Sequence, residues 1–75
     1  MTMTKRQRET LGKLCKEAEA LKLFQVSDAL RDGNFRAAVD WIAEALDRHT
    51  MAESKFAPAI DRLYTRIAKL KAALA

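Results

Sequence analysis

The strongest constraint on the fold is the regular spacing of apolar residues in the last third of the chain. These residues recur at alternating steps of four and three: Phe56, Ile60, Leu63, Ile67, Leu70 and Leu74. At about 100° per residue, this spacing places their side chains on one narrow stripe of an α-helix. Such a stripe is typical of a helix that packs on another helix at a shallow angle. The pattern therefore predicts a helix over residues 55–74.

The start of this helix has two candidate N-caps. With Ser54 as the N-cap, Pro58 falls in or just beyond the first turn, where its missing amide costs little. Thr50 is the alternative, because Thr50-Met51-Ala52-Glu53 has the form of a capping box. A start at Thr50 would place Pro58 deeper in the helix and kink it. We therefore prefer Ser54.

A second helix is predicted over residues 35–49, after the turn Asp32-Gly33-Asn34. Gly33 can adopt the left-handed conformation that closes a helix, and Asn34 can cap the next one. The apolar stripe of this helix consists of Phe35, Val39, Ile42, Leu46 and His49.

Trp41 lies off this stripe, about 120° from Phe35, with Ala38 and Ala45 between them. The resulting wide apolar arc is typical of a middle helix that contacts two neighbours. Trp41 then either packs against a flanking helix or is exposed and anchors a partner.

The first helix, predicted over residues 5–31, is irregular. It begins at the capping box Thr4-Lys5-Arg6-Gln7 and carries the stripe Leu11, Leu14, Cys15, Ala18 and Leu21. Beyond Leu21 the apolar residues no longer fall on this stripe. Either the helix bends near residues 24–27, with Ser27 capping a short second segment, or some apolar side chains are exposed. The whole pattern predicts an all-α fold, an antiparallel three-helix bundle forming a single domain over residues 1–75.

The composition argues against an enzyme and against a membrane protein. No apolar run is long enough to span a bilayer, and the N-terminus lacks the apolar core of a secretory signal. The one cysteine cannot form an internal disulfide, which suits a reducing compartment and predicts a cytoplasmic protein. His49 has no second histidine or cysteine nearby for a metal site, and Cys15 lies on an apolar stripe as a buried, inert thiol. We expect neither a cofactor nor catalysis.

Charge is distributed unevenly along the chain, which carries a formal net charge of +4. Basic residues predominate in residues 1–22 and 51–75, whereas acidic residues predominate in residues 23–50. This distribution is explained either by complementary helix surfaces within the bundle or by a functional surface. On the second interpretation, the basic residues of one helix face could meet an acidic protein or a phosphate backbone: Arg62, Arg66 and Lys69.

Two resemblances point to protein binding. The segments SDALRDGNFRAAVDWIAEAL and RIAKLKAALA resemble the microtubule-interacting and transport (MIT) domain, and the first is also similar to a tetratricopeptide unit. The MIT resemblance implies a groove between helices that takes a partner's amphipathic helix. By size and build the chain is also similar to small host-directed proteins of phages and mobile elements, including anti-CRISPR proteins. Such proteins work by occluding a partner's surface.

The sequence therefore predicts a non-enzymatic protein–protein interaction module, acting as an adaptor or inhibitor, as a monomer or homodimer. The predicted partner is a protein, and an acidic one if the basic helix face binds it. The alternative is a basic nucleic-acid-binding accessory protein, although no aromatic residue lies within a basic stripe to stack bases. The predicted partner-binding residues are an apolar patch and a charged surface that steers the partner: Leu23, Phe24 and Trp41, with Arg62, Arg66 and Lys69.

Overall fold

The computed structural model describes residues 3–74, which form four α-helices connected by short turns. These are α1 (Lys5–Ala20), α2 (Phe24–Arg31), α3 (Phe35–Met51) and α4 (Ala57–Leu74). No strand occurs in the described part of the chain, so the predicted all-α class is confirmed. The predicted three-helix bundle is not, because the first predicted helix consists of the two helices α1 and α2.

The break between α1 and α2 is a Schellman motif. Lys22 adopts a left-handed conformation with a φ of 61°. Its amide donates to the Glu19 carbonyl at 2.9 Å, and the Leu23 amide donates to the Ala18 carbonyl at 2.8 Å. Ser27 lies inside α2, where its hydroxyl donates to the Phe24 carbonyl at 3.0 Å. The prediction that Ser27 caps the second segment is therefore wrong.

The same motif closes α2 and α3. Gly33 and Glu53 have φ angles of 72° and 52°. The residues that follow them, Asn34 and Ser54, donate their amides back into the preceding helix. The Asn34 side chain then accepts a hydrogen bond from the Ala37 amide at 3.1 Å and caps α3. The predicted roles of Gly33 and Asn34 are confirmed.

At the helix starts, the predicted capping box of α1 is confirmed by reciprocal hydrogen bonds between Thr4 and Gln7. Helix α4 starts at Ala57, two residues later than predicted. Ser54 precedes it, and its hydroxyl accepts from the Phe56 amide at 3.1 Å. Thr50 belongs to α3 and does not cap α4. Pro58 is the second residue of α4, where its missing amide breaks no helical hydrogen bond.

The four helices pack in a closed ring, in which α1 and α3 each contact α2 and α4. The core runs through all four helices, and its fully buried large side chains include Leu14, Leu30, Ile42, Ile60 and Ile67. In α3 the most buried line is Ala38, Ile42 and Ala45, whereas Phe35, Val39 and Leu46 are only half-buried. The most buried face of α3 therefore lies between the centre of the predicted stripe and Trp41. Ala38 and Ala45 on this face let the neighbouring helices approach closely.

Candidate partner-binding groove

A groove of about 220 Å³ lies between the end of α1 and the first half of α4. Its apolar lining comes from both helices: Ala20, Leu21, Ala59 and Leu63. Glu17, Arg62 and Arg66 complete its walls. The groove exists because small alanines face each other at this point of the α1–α4 interface, so the helices leave space beside Leu63.

One wall of the groove is an ion pair that joins α1 to α4. Nη1 of Arg66 lies 2.8 Å from Oε1 and 2.6 Å from Oε2 of Glu17. Both side chains are about half-exposed, so solvent screens the pair and its contribution to stability is at most about 1 kcal/mol. Arg66 is therefore already paired within the chain, whereas the sequence predicted it as part of a free cationic surface.

Arg62 and Lys69 keep the exposure that the sequence predicted. Within residues 3–74, neither forms an ion pair with a carboxylate. Arg62 stands at the rim of the groove, one turn before Arg66, and Lys69 lies beyond it on the same side of α4. The three predicted cations share a helix face, but only Arg62 and Arg66 line the groove.

The structure places Leu23 in the core, at 8% exposure, and not on the predicted surface patch. The cause is the Schellman motif, in which the residue after the left-handed position packs against the end of the helix it follows. Here Leu23 is that residue, and Ala18, which accepts its amide hydrogen bond, is fully buried. Leu23 is therefore a structural residue.

Phe24 and Trp41, the other members of the predicted patch, are exposed by 58% and 41%. Trp41 lines a shallow crevice made only by α3, with Ala37, Asp40 and Glu44. Phe24 lies on α2, and no aromatic contact joins it to Trp41 in the described residues. Of the predicted patch, Phe24 and Trp41 are therefore at the surface on two neighbouring helices, and their role in binding stays a prediction.

Sequence reasoning missed a third exposed apolar surface at the turn between α3 and α4. Met51 is 79% exposed and Phe56 is 48% exposed. The Phe56 ring meets His49 edge-on at 6.4 Å, and Lys55 Nζ lies 5.5 Å from its centroid. Phe56 continues the apolar spacing of α4, which hid its exposure. Because the sequence predicted the helix to start at residue 55, it gave no signal for this exposure, and only the start of α4 at Ala57 reveals it.

The structure also places Cys15 and His49, the two side chains considered above for thiol and metal chemistry. Cys15 is buried as predicted, and burial raises the pKa of its thiol, an effect that the nearby Arg31 guanidinium partly opposes. His49 Nδ1 lies 2.9 Å from the Ser54 hydroxyl, so this side chain ties the end of α3 to the turn. In residues 3–74, no group of three or more acidic, histidine or cysteine side chains is arranged to hold a metal ion. Across the same range, no helix has both the length and the apolar character needed to cross a bilayer.

The chain was compared with protein families, curated proteins and solved structures. No protein-family model, curated protein or solved structure matches this chain. The function must therefore be argued from the surfaces described above.

Proposed function

We propose that this protein is a non-enzymatic interaction module that binds a protein partner through the groove between α1 and α4 and thereby modulates or blocks that partner. The observation that supports this proposal is the combination of an apolar groove with a cation at its rim, Arg62, that forms no ion pair within residues 3–74. At about 220 Å³ the groove is smaller than the roughly 300–1,000 Å³ of a typical small-molecule site. It suits one large side chain of a partner.

The two parts of this surface have different tasks. Arg62 and Lys69 attract an acidic partner and raise the rate of encounter. The apolar lining around Leu63 then excludes water from the docked side chain and sets the lifetime of the complex. An amphipathic helix with an apolar residue flanked by carboxylates fits both requirements, which is the binding mode that the MIT resemblance implies.

The alternative is a basic accessory protein that binds nucleic acid. The net charge of +4 favours it, since phosphate contacts come mainly from Lys and Arg. The exposed aromatics Phe24 and Trp41, however, lie on α2 and α3 and not among the cations of α4. The cationic face thus lacks the aromatic residues on which single-stranded bases stack.

We expect Arg62→Glu to weaken capture of the partner by about tenfold or more, because a like charge then faces the partner's carboxylates. Ala59→Trp, which fills the groove, should have a similar effect. The measurement is affinity capture from host lysate, with and without nuclease, followed by binding assays on the captured protein.

Lys71→Glu is the matched control, because it makes the same charge change on an exposed residue of α4 that does not line the groove. It should bind the partner with nearly the affinity of the wild type, and any small loss measures the effect of net charge alone. Equal binding by Arg62→Glu and Ala59→Trp would contradict the proposal. Capture that disappears with nuclease would favour the nucleic-acid alternative.

A further inference from the structure

The surface of α3 around Trp41 has the chemistry that the α1–α4 groove requires of an occupant. The Trp41 side chain is 41% exposed, and the carboxylates of Asp40 and Glu44 line the same crevice. Both acidic residues are exposed. The ion pairs within residues 3–74 use Glu17, Glu19 and Asp28, so neither Asp40 nor Glu44 is neutralised there.

The groove presents the complementary set of groups. It is apolar at its floor and basic at its rim, where Arg62 has no ion-pair partner in the described residues. The groove of about 220 Å³ can accommodate an indole, the largest of the side chains. The carboxylates beside Trp41 can then face the guanidinium of Arg62. The chain thus carries both halves of one interface.

From this complementarity we infer that a second copy of the chain occupies the groove, with Trp41 of one copy inserted between α1 and α4 of the next. This inference rests on the proposed function, because it names one partner of the proposed binding groove. Asp40 and Glu44 supply the carboxylates that Arg62 attracts, and the indole packs on the apolar lining of the groove.

The two surfaces lie on different sides of the molecule, which determines the form of the assembly. Leu46 and Thr50 of α3 share a crevice with Ala57 and Pro58, so they mark the side of α3 that faces α4. Trp41 lies about 140° around the helix from Leu46 and about 180° from Thr50. The contact is therefore heterologous. Each added copy leaves one groove and one Trp41 surface open, and association continues beyond a dimer unless a ring closes.

Sedimentation velocity over increasing concentration tests this inference. The average mass of the wild type should rise above the 8.5 kDa of one chain as concentration increases toward about 1 mM. Two variants each remove one surface: Arg62→Glu in the groove, and Asp40→Lys with Glu44→Lys on α3. Each variant alone should associate about tenfold more weakly than the wild type, whereas Lys71→Glu should associate normally.

Mixing the two variants provides the decisive measurement. The α3 variant retains its groove and the groove variant retains its Trp41 surface, and the two reversed charge sets also attract each other. An equimolar mixture should therefore regain the association of the wild type. Circular dichroism confirms that each variant is helical. A wild type that stays monomeric, or a mixture that stays monomeric while the wild type associates, would overturn the inference. A wild type that stays monomeric but captures another protein, with capture lost in Arg62→Glu, would leave only the proposed function standing.

Discussion

At the scale of single residues, replacing each of the two glycines by alanine should change the stability of the protein in opposite directions. No atom lies within 4 Å of a Cβ added at Gly12 or Gly33, so substitution by alanine alters only the backbone preference. Gly12 lies within α1, and Gly12→Ala should stabilise the protein by about 0.5–1 kcal/mol. Gly33 is left-handed, and Gly33→Ala should destabilise it by about 1–2 kcal/mol. Urea unfolding measures both.

Lys22 provides the reverse control for this prediction, because it holds the equivalent left-handed position after α1. Lys22→Gly should recover stability there, whereas Lys22→Ala keeps the Cβ and should not. A loss of stability with Gly12→Ala, or no loss with Gly33→Ala, would show that the backbone conformations at these turns are not those described.

At the scale of elements, the junction between α1 and α2 distinguishes two neighbouring apolar residues. Leu23 is 8% exposed and packs at the Schellman motif, whereas Phe24 is 58% exposed. Leu23→Ala should therefore destabilise the protein by about 2–5 kcal/mol, while Phe24→Ala should change its stability by about 0.5 kcal/mol or less. Thermal unfolding followed by circular dichroism separates these outcomes.

Phe24→Ala serves as the control at this junction, since it removes a larger side chain from the adjacent position. If the two substitutions had equal effects, α1 would continue through residues 21–23 into α2, with any bend lying near residues 24–27 as the sequence analysis allowed. The size of the difference thus reports whether the break between the helices exists in solution.

At the scale of the whole molecule, a chain of 75 residues has a small reserve of stability, about 4–11 kcal/mol by the usual range per residue. Ile42 and Ile67 are fully buried in the core shared by the four helices. Ile42→Ala or Ile67→Ala should each cost about 2–5 kcal/mol and lower Tm strongly. By contrast, Glu17→Gln should cost at most about 1 kcal/mol, because its ion pair with Arg66 is half-exposed.

Calorimetry on the three variants checks this ranking, with Glu17→Gln as the surface control. Losses below about 1 kcal/mol at both isoleucines would mean that the buried face of α3 and α4 is wrongly placed. A loss at Glu17 as large as at the isoleucines would mean that the α1–α4 contact depends on charge rather than on apolar packing.

The sequence alone determined the features that depend on neighbouring residues. The caps at Thr4 and Asn34, the left-handed Gly33 and the buried stripe from Ile60 to Leu70 were all predictable. Helical periodicity and capping act over three or four residues, so the relevant partners lie within the same short segment. The proposed roles of Trp41, Arg62 and Lys69 in binding stay predictions.

Only the tertiary structure decided which surfaces meet. The first predicted helix breaks at Lys22, although a left-handed conformation is unfavourable for lysine. The break occurs because the turn lets Leu23 join the core and lets α2 pack back on α1. Arg66 forms an ion pair with Glu17, which is 49 positions away in the chain. A cation that the sequence predicted for a partner-binding surface is thus paired within the protein. Such contacts depend on how whole helices are placed in space, and no local pattern specifies that placement.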